Sequence, residues 1–185
     1  QAPPGSYHVS LWVGDEMIAK EEVEVLKDPR LTDVSKDDIM AQFNLVRDIK
    51  AKLDTTHKAI NKIREVRGEI SEALAESGDN KEAKKLAQEI RKALTEIEEA
   101  LVQTKAESIQ DVLNFPIRLN NKLAALSSTV ETGLGRPTRQ QYAVFADLSA
   151  KVDAQLERLQ PLLEGQFDQF IQEIENPEVP INNER

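Results

Sequence analysis

The polar residues of this chain best placed to do chemistry crowd one short segment: Arg118, Asn120 and Asn121, just behind Asn114 and Pro116. A proline there interrupts a helical pattern, so backbone donors and acceptors lose their partners, and such groups must be paired when buried. A guanidinium and two carboxamides can supply that repair. The same groups suit a recognition site for a partner or an adjoining domain, and both readings stay open. Asn114, Pro116, Arg118, Asn120 and Asn121 are therefore structural or interaction candidates. Arg67 joins them because it falls, like Thr56, on the apolar seam of a helix. A polar seam residue fixes register or meets a buried acceptor.

No residue is assigned a catalytic, cofactor-binding or metal-ligating role. The chain has two histidines and no cysteine, and neither His8 nor His57 has a second histidine three or four residues away. Cysteine-based zinc sites and disulfides are excluded, and a transition-metal site has too few ligands. Asp37–Asp38 and Glu98–Glu99 are adjacent carboxylates, but neighbours along a helix point in different directions. General acid–base work needs convergent groups, so these pairs read as solvated faces. There is no glycine-rich phosphate loop, G-x-S-x-G or H-E-x-x-H. Gly133-Leu134-Gly135-Arg136-Pro137 reads as a turn between helices.

The elements that would position these residues are mostly helices. Ser35 with Asp38 resembles a capping box, and behind it Val46, Ile49, Leu53, Thr56, Ile60, Ile63, Arg67, Ile70 and Leu74 follow a three-four spacing. Gly78 suits the C-terminal cap. A second helix carries Ala83, Leu86, Ile90, Leu94, Ile97, Leu101 and Thr104 and is expected to end near Ser108. Pro116 is expected in the first turn of a third helix, with Leu119, Leu123, Leu126 and Val130 as its stripe. Thr138 with Gln141 opens a last helix, whose stripe runs from Phe145 to Ile174 and which Pro161 should kink. At 1.5 Å per residue the first three helices span about 60, 40 and 25 Å. The lengths fit three antiparallel legs with a broken middle leg, and a four-helix up-and-down bundle is the rival.

Before the helices, Tyr7, Val9, Leu11 and Val13 alternate with His8, Ser10 and Trp12. Gly14-Asp15 supplies a turn and a second run carries Ile18, Val23 and Val25, so the segment reads as a β-hairpin. A lone hairpin is marginal in water. It must pack on the helices or be the last hairpin of a β-sandwich whose other strands lie upstream. The fold class is thus mainly α: an elongated antiparallel helical bundle after a β-hairpin from a truncated sandwich. The expected divisions are 1–30 for the hairpin, 31–34 for a linker, 35–176 for the bundle and 177–185 for a flexible tail.

Composition narrows the partners. Among 185 residues, 31% are charged and 4% aromatic, and 24 basic against 33 acidic residues give a net charge of −9. Nucleic-acid binding needs a basic stripe, and none is visible, so nucleic acid is not an expected partner. No apolar run reaches the ~18 residues of a membrane span, and membrane insertion is not expected.

Two segments carry a resemblance. Pro4-Gly5-Ser6-Tyr7, the alternating strand and Val25-Leu26-Lys27-Asp28-Pro29-Arg30 resemble the close of an immunoglobulin-like domain. Leu113 to Leu126 (L-N-F-P-I-R-L-N-N-K-L-A-A-L) and Gly135-Arg136-Pro137-Thr138 resemble the helical C-terminal region of large secreted bacterial proteins. Those proteins carry sortilin-type or neuraminidase-repeat β-propellers and are often labelled glycosyl hydrolase-like. The resemblance implies an exported, cell-envelope or extracellular protein whose propeller lies upstream and holds any catalytic residues. What it transfers to this chain is architecture. The expected function is a non-catalytic spacer, docking or assembly module. Its expected partners are upstream domains of the same polypeptide, a second copy or another envelope protein. The alternatives are an accessory part of a glycoside hydrolase and an intracellular coiled-coil adaptor.

Overall fold

A computed structural model describes residues 2–133 and 135–176, so the expected tail at 177–185 lies outside the described residues. The chain is mainly helical and begins with an antiparallel hairpin of β1 (Gly5–Val13) and β2 (Glu16–Val25). Five α-helices follow: α1 (Lys36–Glu76), α2 (Lys81–Leu101), α3 (Leu119–Thr132), α4 (Arg139–Pro161) and α5 (Asp168–Glu175). A 3₁₀ turn at Ile109–Leu113 sits between α2 and α3, and a π-helical stretch at Leu162–Phe167 joins α4 to α5. The residues group into two compact units, Gln1–Ala51 with Ala124–Phe145, and Lys52–Leu123 with Ala146–Arg185.

In the first unit the hairpin turns at Gly14, whose φ of 60° is followed by an Asp15 without positive φ, the pattern of a type II′ turn. Tyr7 pairs with Val23, Val9 with Glu21 and Leu11 with Ala19, and a bulge between Leu11 and Trp12 shifts the register by one residue. The tyrosine hydroxyl donates to the Pro3 carbonyl at 2.6 Å, and Lys27 Nζ donates to the Val34 carbonyl at 2.6 Å. The capping box at the start of α1 is complete: Ser35 N–H donates to Asp38 Oδ2 at 3.0 Å and Asp38 N–H to Ser35 Oγ at 3.1 Å. Thr138 and Gln141 reciprocate in the same way at the start of α4, at 2.8 and 3.2 Å. The Gln42 carboxamide donates to the Val130 and Gly133 carbonyls, both at 2.6 Å, closing the last turn of α3 against the first turns of α1.

The second unit is an up-down-up bundle. Arg64 reaches Glu98 and Arg91 reaches Ser71, so α2 returns antiparallel along α1. Arg158 reaches Glu96, and Asn80 reaches the Glu173 carbonyl, so α4 and α5 run back along α2. The core is aliphatic but for one aromatic ring: Ile63, Val66 and Ile70 from α1 with Ile90, Leu94, Ile97 and Leu101 from α2, and Val152 and Phe170 from α4 and α5. Each of these side chains contributes roughly 1.5–3 kcal/mol by leaving water.

Two helix ends differ from the spacing. The second helix stops at Leu101, where Val102 turns extended (φ −137°, ψ 149°), and Thr104 is exposed. The reason is not local: the Gln103 carboxamide donates to the Pro116 carbonyl at 2.9 Å, thirteen residues on, and Asp111 organises its own turn. The third helix starts at Leu119, with the Arg118 carbonyl taking its first bond from Lys122 N–H. Pro116 therefore precedes the helix instead of opening it. The α-helical pattern is interrupted over 102–118, a longer stretch than the break expected around Asn114 to Pro116.

Candidate functional site

The sequence candidates at this break do not converge on a reaction centre. Asn114 is exposed and caps the 3₁₀ turn through its backbone N–H, which donates to the Asp111 carbonyl. Pro116 is exposed and offers only its carbonyl. Asn120 Oδ1 accepts from the next residue's N–H at 2.7 Å, and Asn121 is exposed. Arg118 is half-buried, and its Nε is buried without a hydrogen-bond partner among the described residues. An open cavity of about 520 Å³ sits here, lined by Val102, Gln103, Phe115, Ile117, Asn120 and Asn121. Glu107 and Ser108 also line it, and the Ser108 hydroxyl is taken up by Asp111 at 3.0 Å.

The repair of the broken backbone falls largely to residues the pattern did not single out. Asp111 accepts from Glu107 N–H at 2.7 Å, from Ser108 N–H at 2.9 Å and from the Ser108 hydroxyl at 3.0 Å. These bonds, the Ser108 amide first, hold its carboxyl below the usual carboxylate range. The available signal was S-x-x-D at 108–111, a capping-box spacing with Asp in the Glu/Gln place.

Arg67 does meet a buried acceptor. It pairs with Glu98, which also accepts from Arg64 Nε at 2.8 Å, and its other arm donates to the Thr95 hydroxyl at 2.8 Å. Glu98 is not on a solvated face: its side chain is 4% exposed, because two arginine stems from α1 close over it. Adjacency to Glu99 in sequence said nothing about those two arginines, more than thirty residues away. Thr56, the other polar seam residue, is buried and turns its hydroxyl back to the Lys52 carbonyl at 2.8 Å. Among the described residues, no group of three His, Asp or Glu could hold a metal ion. The two histidines carry no ligand set.

A second cavity, about 530 Å³, lies in the first unit between Pro3, Leu31, Ile39, Phe43 and Val46. The polar groups at its edge are already engaged: Lys50 with Glu131 and Asp28 with Arg30. Its apolar wall has no free polar group to orient a ligand.

The hairpin carries the most conspicuous surface. Cross-strand pairing puts Tyr7, Val9, Leu11, Val13, Ala19, Val23 and Val25 on one face, with Glu21 opposite Val9 and Glu16 opposite Val13 as its charges. Nothing among the described residues covers it: Val9 and Leu11 are each 58% exposed and Val13 is 65% exposed. The other face carries Ser6, His8, Ser10, Lys20, Glu22 and Glu24, with Trp12 beside Met17 near the turn. One apolar face, one polar face and two unpaired edges are what a strand pair presents when taken from a larger sheet. No protein-family model matches the chain, and searches of curated proteins and of solved structures found no match.

Proposed function

We propose that this chain is a non-catalytic structural and docking module whose hairpin completes a β-sandwich contributed by upstream domains of the same polypeptide. The observation that carries the reading is the hairpin's apolar face, half-buried at Tyr7 and Val25 but exposed at Val9, Leu11, Val13 and Val23. Contiguous apolar surface of this kind marks an interaction site, and an isolated hairpin does not hold itself together in water. The helices are then a spacer and assembly element, supported by long helices with capping boxes and by ion pairs that bridge α1 to α2 and α2 to α4. The resemblance of the segments around Val25–Arg30 and Leu113–Leu126 is what supports reading that polypeptide as an exported bacterial protein with an upstream propeller.

Amide hydrogen exchange tests this. In the isolated chain β1 and β2 exchange rapidly while α1 and α2 are protected. In the full-length polypeptide the amides of both strands gain protection, and Leu11→Lys abolishes that gain. Strands that exchange equally fast in both contexts would sink the docking role of the hairpin.

A further inference from the structure

The two edges of the hairpin are not alike. β1 carries no Asp, Glu, Lys or Arg, whereas half of the ten residues of β2 are charged: Glu16, Lys20, Glu21, Glu22 and Glu24. The bulge also belongs to β2, since Leu11 pairs with Ala19 and Trp12 with Met17, which leaves Ile18 without a partner. Two of the acids, Glu16 and Glu21, stand on the apolar face opposite Val13 and Val9. Charge, a bulge and acids turned toward the apolar face are the means by which a strand at the end of a sheet avoids further pairing. β1 has none of them. Its alternation of Tyr7, Val9, Leu11 and Val13 with uncharged neighbours is the composition of a strand inside a sheet.

Backbone geometry says which groups that edge offers. The two-residue turn at Gly14-Asp15 makes Val13 and Glu16 a hydrogen-bonded pair, and the pattern alternates along an antiparallel strand. Tyr7, Val9 and Leu11 therefore direct their N–H and C=O groups to β2, while Ser6, His8, Ser10 and Trp12 turn theirs outward. We infer that these four residues pair with a further strand from the upstream part of the same polypeptide, and that β2 is the outer edge of the completed sheet. The inference rests on the sandwich reading above and adds the edge at which the hairpin joins. A second copy could pair β1 with β1, but the four-stranded sheet so formed would double the open apolar face and cover none of it. A two-layered domain supplies the edge partner and the facing sheet together. Charge gives the added strand its character. β2 bears four carboxylates and one lysine, and the first ion pair along the chain, among the described residues, is Asp28 with Arg30. The added strand lies about 10 Å from β2, two strand spacings, so a lysine or arginine on its polar side reaches across Ser6 toward Glu24. Its other side is apolar, beside Tyr7, Val9 and Leu11.

Amide exchange read residue by residue separates the two edges. The amides shared between β1 and β2 slow whenever the hairpin docks, so the outward ones decide. In the full-length polypeptide those of Ser6, His8, Ser10 and Trp12 should slow roughly tenfold or more, while those of Lys20, Glu22 and Glu24 keep the rate they have in the isolated chain. Proline is tolerated where a strand's N–H faces solvent and not inside a sheet. His8→Pro should therefore abolish the slowing at Ser6, Ser10 and Trp12, and Glu22→Pro, directly opposite, should leave it. Slowing at Lys20, Glu22 and Glu24 overturns the inference, as does an equal effect of the two prolines. Slowing confined to Tyr7, Val9 and Leu11 overturns it too but leaves the sandwich reading standing, the hairpin then docking by its face alone. If no strand amide slows, both fall. Protection of the four outward amides in the isolated chain that grows with its concentration assigns the edge to a second copy and overturns the inference as well.

Discussion

Glu98 makes the clearest energetic prediction, because its two sides are unequally buried. The carboxylate is 4% exposed, whereas the side chains of Arg64 and Arg67 are 57% and 29% exposed. Deleting the acid frees two guanidiniums that water can already reach. Glu98→Leu therefore loses two charge-assisted bonds of ~1.5–3 kcal/mol each, most of it recovered by rehydrating the arginines. It gains back ~1.5–3 kcal/mol from a leucine on the seam, and the net change should lie within about 1 kcal/mol. Deleting the bases is different. Arg64→Ala with Arg67→Ala strands a carboxylate under the α1–α2 seam with no partner, and a buried charge left that way costs about 3–5 kcal/mol. Urea unfolding followed by far-UV circular dichroism measures both, provided the slope of free energy against urea is unchanged. The order is the test: if Glu98→Leu costs more than the double arginine variant, the ion pair is not governed by desolvation of the acid.

Two further outcomes follow from the same geometry. Asp38, held at a pKa of about 2 by the Ser35 hydroxyl, by Arg136 at 2.7 Å and by the Ser35 amide, has a folded pKa below its ordinary 3.8. Its contribution is therefore complete above that ordinary value and is lost as pH falls from about 4 to about 2; Asp38→Asn should flatten the melting-temperature profile in that window. Asn120→Ala with Asn121→Ala removes one local hydrogen bond and should cost no more than about 1 kcal/mol. Asp111→Ala, which removes three bonds, should lower the melting temperature further, and the reverse order in a thermal scan would reinstate the asparagines as the residues that hold the break.

The parts of this fold that were readable from sequence are those decided within a few residues. The capping boxes at Ser35 and Thr138, the turn at Gly14 and the seams from Val46 to Ile70 and Ala83 to Leu101 depend on neighbours three or four positions away. What escaped was settled across distance. The end of α2 depends on a carboxamide meeting the Pro116 carbonyl, and the burial of Glu98 on arginines from another helix. The interaction candidates around Pro116 were visible as an irregularity, but their modest role was not, because a run of polar residues does not show which member takes the backbone bonds. The hairpin's alternation foretold a buried face. The structure leaves that face open.

The π-helical stretch after Pro161 bears on how this helix can change length. In an unbroken seven-residue repeat, Leu148, Val152, Leu159 and Leu162 would be followed in register by 166 and 169. The buried residue is instead Phe170, because the wide turn at Leu162–Phe167 absorbs one extra residue. Removing one residue there, Gly165 for example, would restore an ordinary helix and still bring the phenylalanine inward. The same excision inside α1 or α2 would rotate every seam residue beyond it by about 100° out of the core. This stretch is thus the place where the last leg can tolerate a single-residue gap, and related chains of unequal length should differ there first.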